Sequence, residues 1–266
     1  MKSLKILVIG ACGRMGQEVV RTLLKREDMV LAGAVDLGSF SGVDIGEVAA
    51  GKIAGVAVSG SLDKTLEGAS FDAAVEFTTG KTAPSNILAC LSRRIPVVSG
   101  TTGIGEGDIL RIREACQRTA TPALIAPNFS MGAVLMMKFS ALASRYFPAA
   151  EIIELHHEKK LDFPSGTALR TAEMMLGERE RFDETPSDLE KLPQCRGGTS
   201  GGIHIHSVRL PGLLAHQEVI FGREGETLML RHDSISRVSF MEGILLAVCR
   251  VSQLQGLTIG LENLLV

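Results

Sequence analysis

Three glycines spaced three residues apart, Gly10, Gly13 and Gly16, stand directly after an apolar run at residues 5–9 and directly before a stretch of helical spacing. A glycine-rich turn between a strand and a helix constrains the fold strongly. The backbone must reverse tightly, and its N–H groups converge at a helix N-terminus, where a phosphate is favoured. The run Gly10-Ala11-Cys12-Gly13-Arg14-Met15-Gly16 therefore reads as a cradle for the pyrophosphate of a dinucleotide. Its spacing is G-x-x-G-x-x-G, not the commoner G-x-G-x-x-G, so the placement carries more weight than the pattern. Asp36 follows at the end of the next apolar run, residues 29–35, where a carboxylate accepts hydrogen bonds from ribose hydroxyls. A carboxylate there repels the 2′-phosphate of NADP, and Leu37-Gly38-Ser39-Phe40 offer it no basic partner. NADH is the expected cofactor, with NADPH tolerated because Arg14 is close. The bland alternative, a structural turn plus a surface Asp, does not account for the strand-turn-helix-strand order.

Short apolar runs at residues 5–9, 29–35, 73–77, 96–98 and 123–126 alternate with helical spacing at 15–25, 83–92 and 108–118. This is the pattern of a doubly wound, Rossmann-type parallel sheet with helices on both faces. Phe77-Thr78-Thr79-Gly80, Gly100-Thr101-Thr102-Gly103 and Pro127-Asn128-Phe129-Ser130 each follow one of these runs. Singly each is an ordinary loop; together they line a crevice at the carboxyl edge of the sheet. Gly100, Thr101, Thr102, Pro127, Asn128 and Phe129 thus join residues 10–15 and Asp36 as candidate nucleotide contacts.

From about Asn128 the pattern changes to a long apolar helix at 131–146, a strand at 152–155, a helix at 166–176 closed by Gly177, and an exposed loop at 182–202. Segments at 203–210, 216–221 and 227–231, parted by turn residues, read as antiparallel strands, and 240–251 as a final helix. The fold class is α/β, with the parallel-sheet domain joined by a smaller α+β domain whose sheet is mostly antiparallel.

A chain of 266 residues with 45% hydrophobic residues can bury a substantial core as one large or two modest domains. Its formal net charge of −2, with no long run of one sign, argues against a nucleic-acid partner. The first residues are too short an apolar stretch for a signal peptide, and no window reaches the length of a membrane helix. Cys12, Cys90, Cys116, Cys195 and Cys249 are scattered and odd in number, which suggests reduced thiols in a reducing compartment.

The densest chemistry lies at 154–169. His156, His157, Lys159 and Lys160 place four potentially cationic groups within five residues. Such a cluster suits a small polyanion: mutual repulsion lowers the affinity of the histidines for protons until an anion neutralises the site, and a histidine can then act as an acid. Ser165 is a natural N-cap, leaving the N–H groups of Gly166 and Thr167 to hold a carboxylate. A solvated charged loop ranks second and a metal site third, since basic neighbours oppose a cation. His204 and His206 share one face of a strand, and Arg209, His216, His232 and Arg237 read as structural. A short-chain dehydrogenase is excluded because Tyr146, the only tyrosine, is followed four residues later by Ala150 and not by Lys.

The glycine turn with Arg14-Met15, Glu76-Phe77-Thr78, Gly100-Thr101-Thr102-Gly103, Asn128-Phe129-Ser130 and H-H-x-x-K-x-D-x-P-S-G-T-A from His156 to Ala168 together resemble the dihydrodipicolinate reductase family over nearly the whole chain. The last motif is highly specific. The resemblance implies a nucleotide-binding domain from residues 1–127 and 238–266, and an inserted domain, 128–237, that binds substrate and builds a homotetramer. It implies a cytoplasmic enzyme of the lysine and diaminopimelate pathway that reduces a cyclic dicarboxylate to tetrahydrodipicolinate and closes one domain over the other. By similarity His156 donates the proton, Lys160 stabilises developing negative charge, and His157, Gly166 and Thr167 bind substrate carboxylate. Two positions depart from the family pattern: Glu158 adds a negative charge, and Phe163 stands where Ala is more usual. Other two-domain dehydrogenases would lack the paired histidines, and a dinucleotide-sensing regulator would need a basic DNA-binding face.

Overall fold

A computed structural model describes residues 3–184 and 190–265. The chain divides into two units, Met1–Phe129 with Phe240–Val266, and Ser130–Ser239.

The first unit alternates strand and helix as the apolar runs require. In chain order it comprises β1 (Leu4–Ile9), α1 (Arg14–Leu23), β2 (Met29–Val35), α2 (Ile45–Ala50), β3 (Val58–Ser59), α3 (Leu62–Gly68), β4 (Ala73–Glu76), α4 (Ala83–Ser92), β5 (Val97–Ser99), α5 (Glu106–Thr119) and β6 (Ala123–Ile125). The second unit then holds α6 (Met131–Ser144), β7 (Ala149–His156), α7 (Gly166–Glu178), β8 (Gly198–Ser200), β9 (Ile203–Arg209), β10 (Ala215–Arg223) and β11 (Glu226–Ser234). The chain returns to the first unit for α8 (Met241–Val251) and β12 (Leu257–Ile259).

The first sheet runs β12-β6-β5-β4-β1-β2-β3. Its strands pair in parallel throughout. The strand order reverses direction between β1 and β4, the switch point at which open α/β sheets bind ligands. On one face Leu7, Ile9, Ala74, Val97 and Ile125 pack against Ile87 and Leu91 of α4 and Ile112 of α5. Asp44 caps α2 and Ser61 caps α3 by accepting from the Gly46 and Lys64 N–H groups.

The second sheet runs β11-β10-β7-β9-β8. It is antiparallel except for the β7–β9 pair. Ile152, Val219 and Phe221 turn inward to meet Met136 of α6 and Ala168, Ala172 and Met175 of α7. Alternation along β7 buries Ala150, Ile152 and Glu154 on that face.

Several expected boundaries shift. The helix expected to close at Gly177 runs through it to Glu178, because the Ser165 cap and the packing of Met175 outweigh one glycine. The exposed loop expected at 182–202 is partly ordered: Phe182 is 1% exposed within the core, and Gly198–Ser200 forms β8. Residues 185–189 of that loop lie outside the described residues. The elements α2, α3, β3 and β12 are additional to those expected.

Candidate active site

The glycine turn is held by close backbone approach. Gly10 has φ +78°, and a Cβ there would lie 2.3 Å from the Phe77 carbonyl oxygen; one at Gly16 would lie 2.0 Å from that of Gly10. Only hydrogen fits at either place. Gly13 is the N-cap of α1 and supplies no side-chain cap, and the first turn, beginning at exposed Arg14 and half-buried Met15, carries no acidic residue. The helix therefore offers its N-terminal N–H groups and positive dipole end to an anion. Ala11 is buried beside the turn. Asp36, half-buried just past β2, accepts from the Cys12 N–H at 2.6 Å and the Leu37 N–H at 2.7 Å. A carboxylate has room for about four donors, so lone pairs remain for ribose hydroxyls. Burial and the neighbouring Asp36 push the Cys12 thiol up to about 11, which keeps it neutral.

The loops after β4 and β5 are locked together by a residue to which the sequence reading gave no role. Glu76 is fully buried at the end of β4. It accepts from the Thr78 N–H (2.9 Å), the Thr78 hydroxyl, Ser99 Oγ (2.7 Å) and Thr101 Oγ1 (2.8 Å). The Thr78 N–H also meets Thr101 Oγ1 at 3.0 Å, and the Phe77 ring leaves no room for a Cβ at Gly100. Thr101 is buried while Thr102 is exposed. After β6, Pro127 is exposed, Asn128 half-buried and Phe129 buried, with the Phe129 ring edge-on to Phe77 at 6.1 Å. The structure thus sets residues 10–15, Asp36, Gly100–Thr102 and Pro127–Phe129 along one edge of the first sheet.

In the second unit the expected crowd of unpaired cations does not form, because carboxylates are built into it. His156, at the end of β7, engages Glu154 Oε2 through Nδ1 at 2.5 Å. Arg209 of β9 grips the same carboxylate with Nη1 on Oε2 at 2.9 Å and Nη2 on Oε1 at 2.8 Å. Burial alone would push the Glu154 carboxyl up, but hydrogen bonds from His156, Arg209 and Ser207 outweigh it and hold it at about 2. Lys160 pairs with Asp162 at 2.7 Å. That bond leads the causes holding the Asp162 carboxyl below its ordinary range. Glu158 and Phe163, the two departures from the family pattern, are both exposed.

Ser165 caps α7 by accepting from the Ala168 N–H at 3.2 Å, and its own N–H donates to Glu154 Oε1 at 3.2 Å. Gly166 and Thr167 form the first turn of α7. The strand, loop and helix start therefore bring His156, His157, Lys160, Gly166 and Thr167 into one module. Arg209, read from sequence as structural, belongs to it. The signal for Glu154 was present: it shares the inward face of β7 with Ile152, and a carboxylate on a core face demands partners. The histidines read as strand residues have other partners. His206 meets Glu151 at 2.7 Å, His216 meets Asp233 at 2.7 Å, and His232 meets Ser130 Oγ at 2.9 Å.

Among the described residues no group of three or more His, Cys, Asp and Glu side chains is arranged to hold a metal. No helix among them is long and apolar enough to cross a membrane.

Comparison with known proteins agrees with this geometry. The family described as "Dihydrodipicolinate reductase, N-terminus" matches residues 4–129, and "Dihydrodipicolinate reductase, C-terminus" matches residues 132–265. The chain is 49% identical over 267 residues to 4-hydroxy-tetrahydrodipicolinate reductase of Desulfitobacterium hafniense, covering 100% of both chains. It is 46% identical to that of Moorella thermoacetica over 99% of this chain and 98% of the other. Among solved structures it is similar to dihydrodipicolinate reductase from Paenisporosarcina sp. TG-14 with dipicolinate bound, at a TM-score of 0.85 and 37% identity over 99% of this chain and 100% of that one. An amine dehydrogenase from Mycobacterium smegmatis shares the fold alone, with a TM-score of 0.69 at 14% identity over 97% of this chain and 95% of that one. With the nucleotide turn, the basic strand-loop-helix module and both halves of the sequence in agreement, the chain belongs to the dihydrodipicolinate reductase family and is an oxidoreductase that works with a pyridine nucleotide.

Proposed function

We propose that the protein reduces 4-hydroxy-tetrahydrodipicolinate, or the dihydrodipicolinate formed from it, to tetrahydrodipicolinate, with NADH preferred over NADPH. The observation that carries this reading is the module running from His156 to Thr167: a histidine held by a carboxylate, a lysine, and a capped helix start within one loop. The solved relative with dipicolinate bound supports a ring dicarboxylate as the ligand.

Gly10, Ala11, Cys12, Gly13, Arg14 and Met15 hold the pyrophosphate, and Asp36 the ribose. Gly100, Thr101, Thr102, Pro127, Asn128 and Phe129 form the remaining wall. Bound NADH supplies the hydride. His157 and the N–H groups of Gly166 and Thr167 hold a substrate carboxylate, where the positive end of α7 favours it. Lys160 stabilises the negative charge that builds on the conjugated ring as hydride arrives, and His156 quenches that charge with a proton. Asp162 is 66% exposed, so water screens its pairing with Lys160 and a carboxylate substrate can compete for the ammonium.

Assembly as a homotetramer, action in lysine and diaminopimelate biosynthesis and a cytoplasmic location complete the reading. The tetramer is supported by the second sheet, whose face opposite α6 and α7 presents Ile153, Ile220 and the 57%-exposed Met229.

The test is a coupled assay in which a synthase makes the substrate from pyruvate and aspartate semialdehyde while NADH and NADPH oxidation are followed in parallel. Synthase-dependent oxidation, faster with NADH, is expected, and His156→Gln should lower turnover by about 10²-fold or more while leaving nucleotide affinity near that of the wild type. No oxidation with active synthase would overturn the assignment.

A further inference from the structure

We propose that Glu154, clamped by Arg209, is a positioning residue for His156: it keeps one proton on Nδ1 and so presents Nε2 as the nitrogen that gives a proton to substrate. The inference rests on the reading of His156 as proton donor.

The argument begins with the number of donors around one carboxylate. Oε2 accepts from His156 Nδ1 and Arg209 Nη1, and Oε1 accepts from the Ser165 N–H and Arg209 Nη2. These four contacts, with the further hydrogen bond from the Ser207 side chain, fill the roughly four lone-pair sites that a carboxylate offers. With its carboxyl held at about 2, Glu154 is ionised at neutral pH and can only accept. The nitrogen facing it must therefore carry hydrogen, whether the ring is neutral or charged. In the neutral ring Nε2 is bare, and in the imidazolium it holds the second, transferable proton. When the substrate is protonated, the Nε2–H bond breaks, the proton passes to the ring carbon that carries the developing charge, and the electron pair stays on Nε2. Glu154 remains ionised throughout, and the Nδ1–H bond is not broken.

A purely structural salt bridge would need only Arg209. Here the same carboxylate, fully buried, reaches the ring on one side and the N–H of the α7 cap on the other. One group thus fixes both the proton donor and the start of the helix that holds substrate. Arg209 is fixed in turn, since Nη2 also donates to the Asp162 carbonyl at 2.8 Å and Nη1 to that of Val208 at 2.7 Å. An amide cannot replace this carboxylate. Because Arg209 donates to both oxygens, the NH₂ of a glutamine would face a donor in either orientation.

The test combines long-range ¹H–¹⁵N spectroscopy of histidine-labelled protein with steady-state kinetics. The His156 signals are assigned by their loss in His156→Gln. In the wild type, titrated until that ring is neutral, the Nδ1–H tautomer is expected. Glu154→Gln should move the ring toward the Nε2–H tautomer and lower kcat about 10²-fold, with KM for the nucleotide within about threefold of the wild type. If His156→Gln keeps full turnover, the proton-donor reading itself fails. If His156→Gln loses turnover but Glu154→Gln keeps the wild-type kcat, or if the wild-type ring shows the Nε2–H tautomer, the positioning role is overturned and the donor reading stands. Should Glu154→Gln not fold, the wild-type spectrum decides alone.

Discussion

Asp36 and Glu154 are both carboxylates beside the end of a strand, yet their surroundings give them different work. Asp36 is half-buried and accepts two backbone N–H groups, which leaves acceptor capacity for a ribose. Replacing it with Ala removes that acceptor and the repulsion of a 2′-phosphate. The ratio of kcat/KM for NADH over NADPH is expected to fall about tenfold or more, and an unchanged ratio would take Asp36 out of the ribose contact. Glu154 instead is sealed from water and has its acceptor sites filled. The candidate acid, lysine and helix start were legible because they sit within twelve residues of one another, from His156 to Thr167. Glu154's clamp was not legible, because Arg209 comes from a strand 55 residues further on. No local pattern joins them until β7 and β9 pair.

At the scale of elements, legibility followed the clarity of the local pattern more than length, since apolar runs marked even the three-residue β5 and β6. The seven-residue strand β2 and the ten-residue helix α4 were read with their observed bounds, since an apolar run or a helical period repeats often enough within them to be recognised. The two-residue β3 and three-residue β12 complete no period, and they exist because neighbouring strands offer an edge to pair with. In the same way β8, inside a stretch that looked like loop, is held by pairing with β9. The junction of β1 with α1 was legible from its glycines and is now accountable sterically. Gly16→Ala would press a Cβ to 2.0 Å from the Gly10 carbonyl oxygen, and the obstructing atom is backbone. The turn must open to relieve it. Titration by intrinsic fluorescence of NADH is expected to show affinity reduced at least about tenfold, with substrate-side residues unaffected; retained affinity would show that the turn can relax.

Across the molecule as a whole, the buried ion pairs tie stability to pH. The Glu154 carboxyl sits at about 2 in the folded protein against an ordinary value of 4.5. Its folded value is depressed, so the stabilisation is complete above about pH 4.5 and is lost as pH falls toward 2. The linkage is worth about 3 kcal/mol at most. Urea denaturation of the wild type and Glu154→Gln between about pH 6 and pH 2 should show their difference in unfolding free energy shrinking steadily across the acid range. A difference independent of pH would show that the ionised carboxylate is not the source of the stabilisation.

The order in which the chain builds its first sheet also bears on how the protein is made. Strands β1 to β6 are complete by Ile125, but β12, which pairs with β6, and α8, which packs against β4, β5 and β6, lie beyond residue 240. While the ribosome adds the whole second unit, the sheet face carrying Val8, Val75, Val98 and Leu124 waits without α8. Nascent chains ordinarily settle from the N-terminus onward. Here the residues of the second unit, contiguous from Ser130 to Ser239, are all synthesised before those from Phe240 onward that complete the first unit.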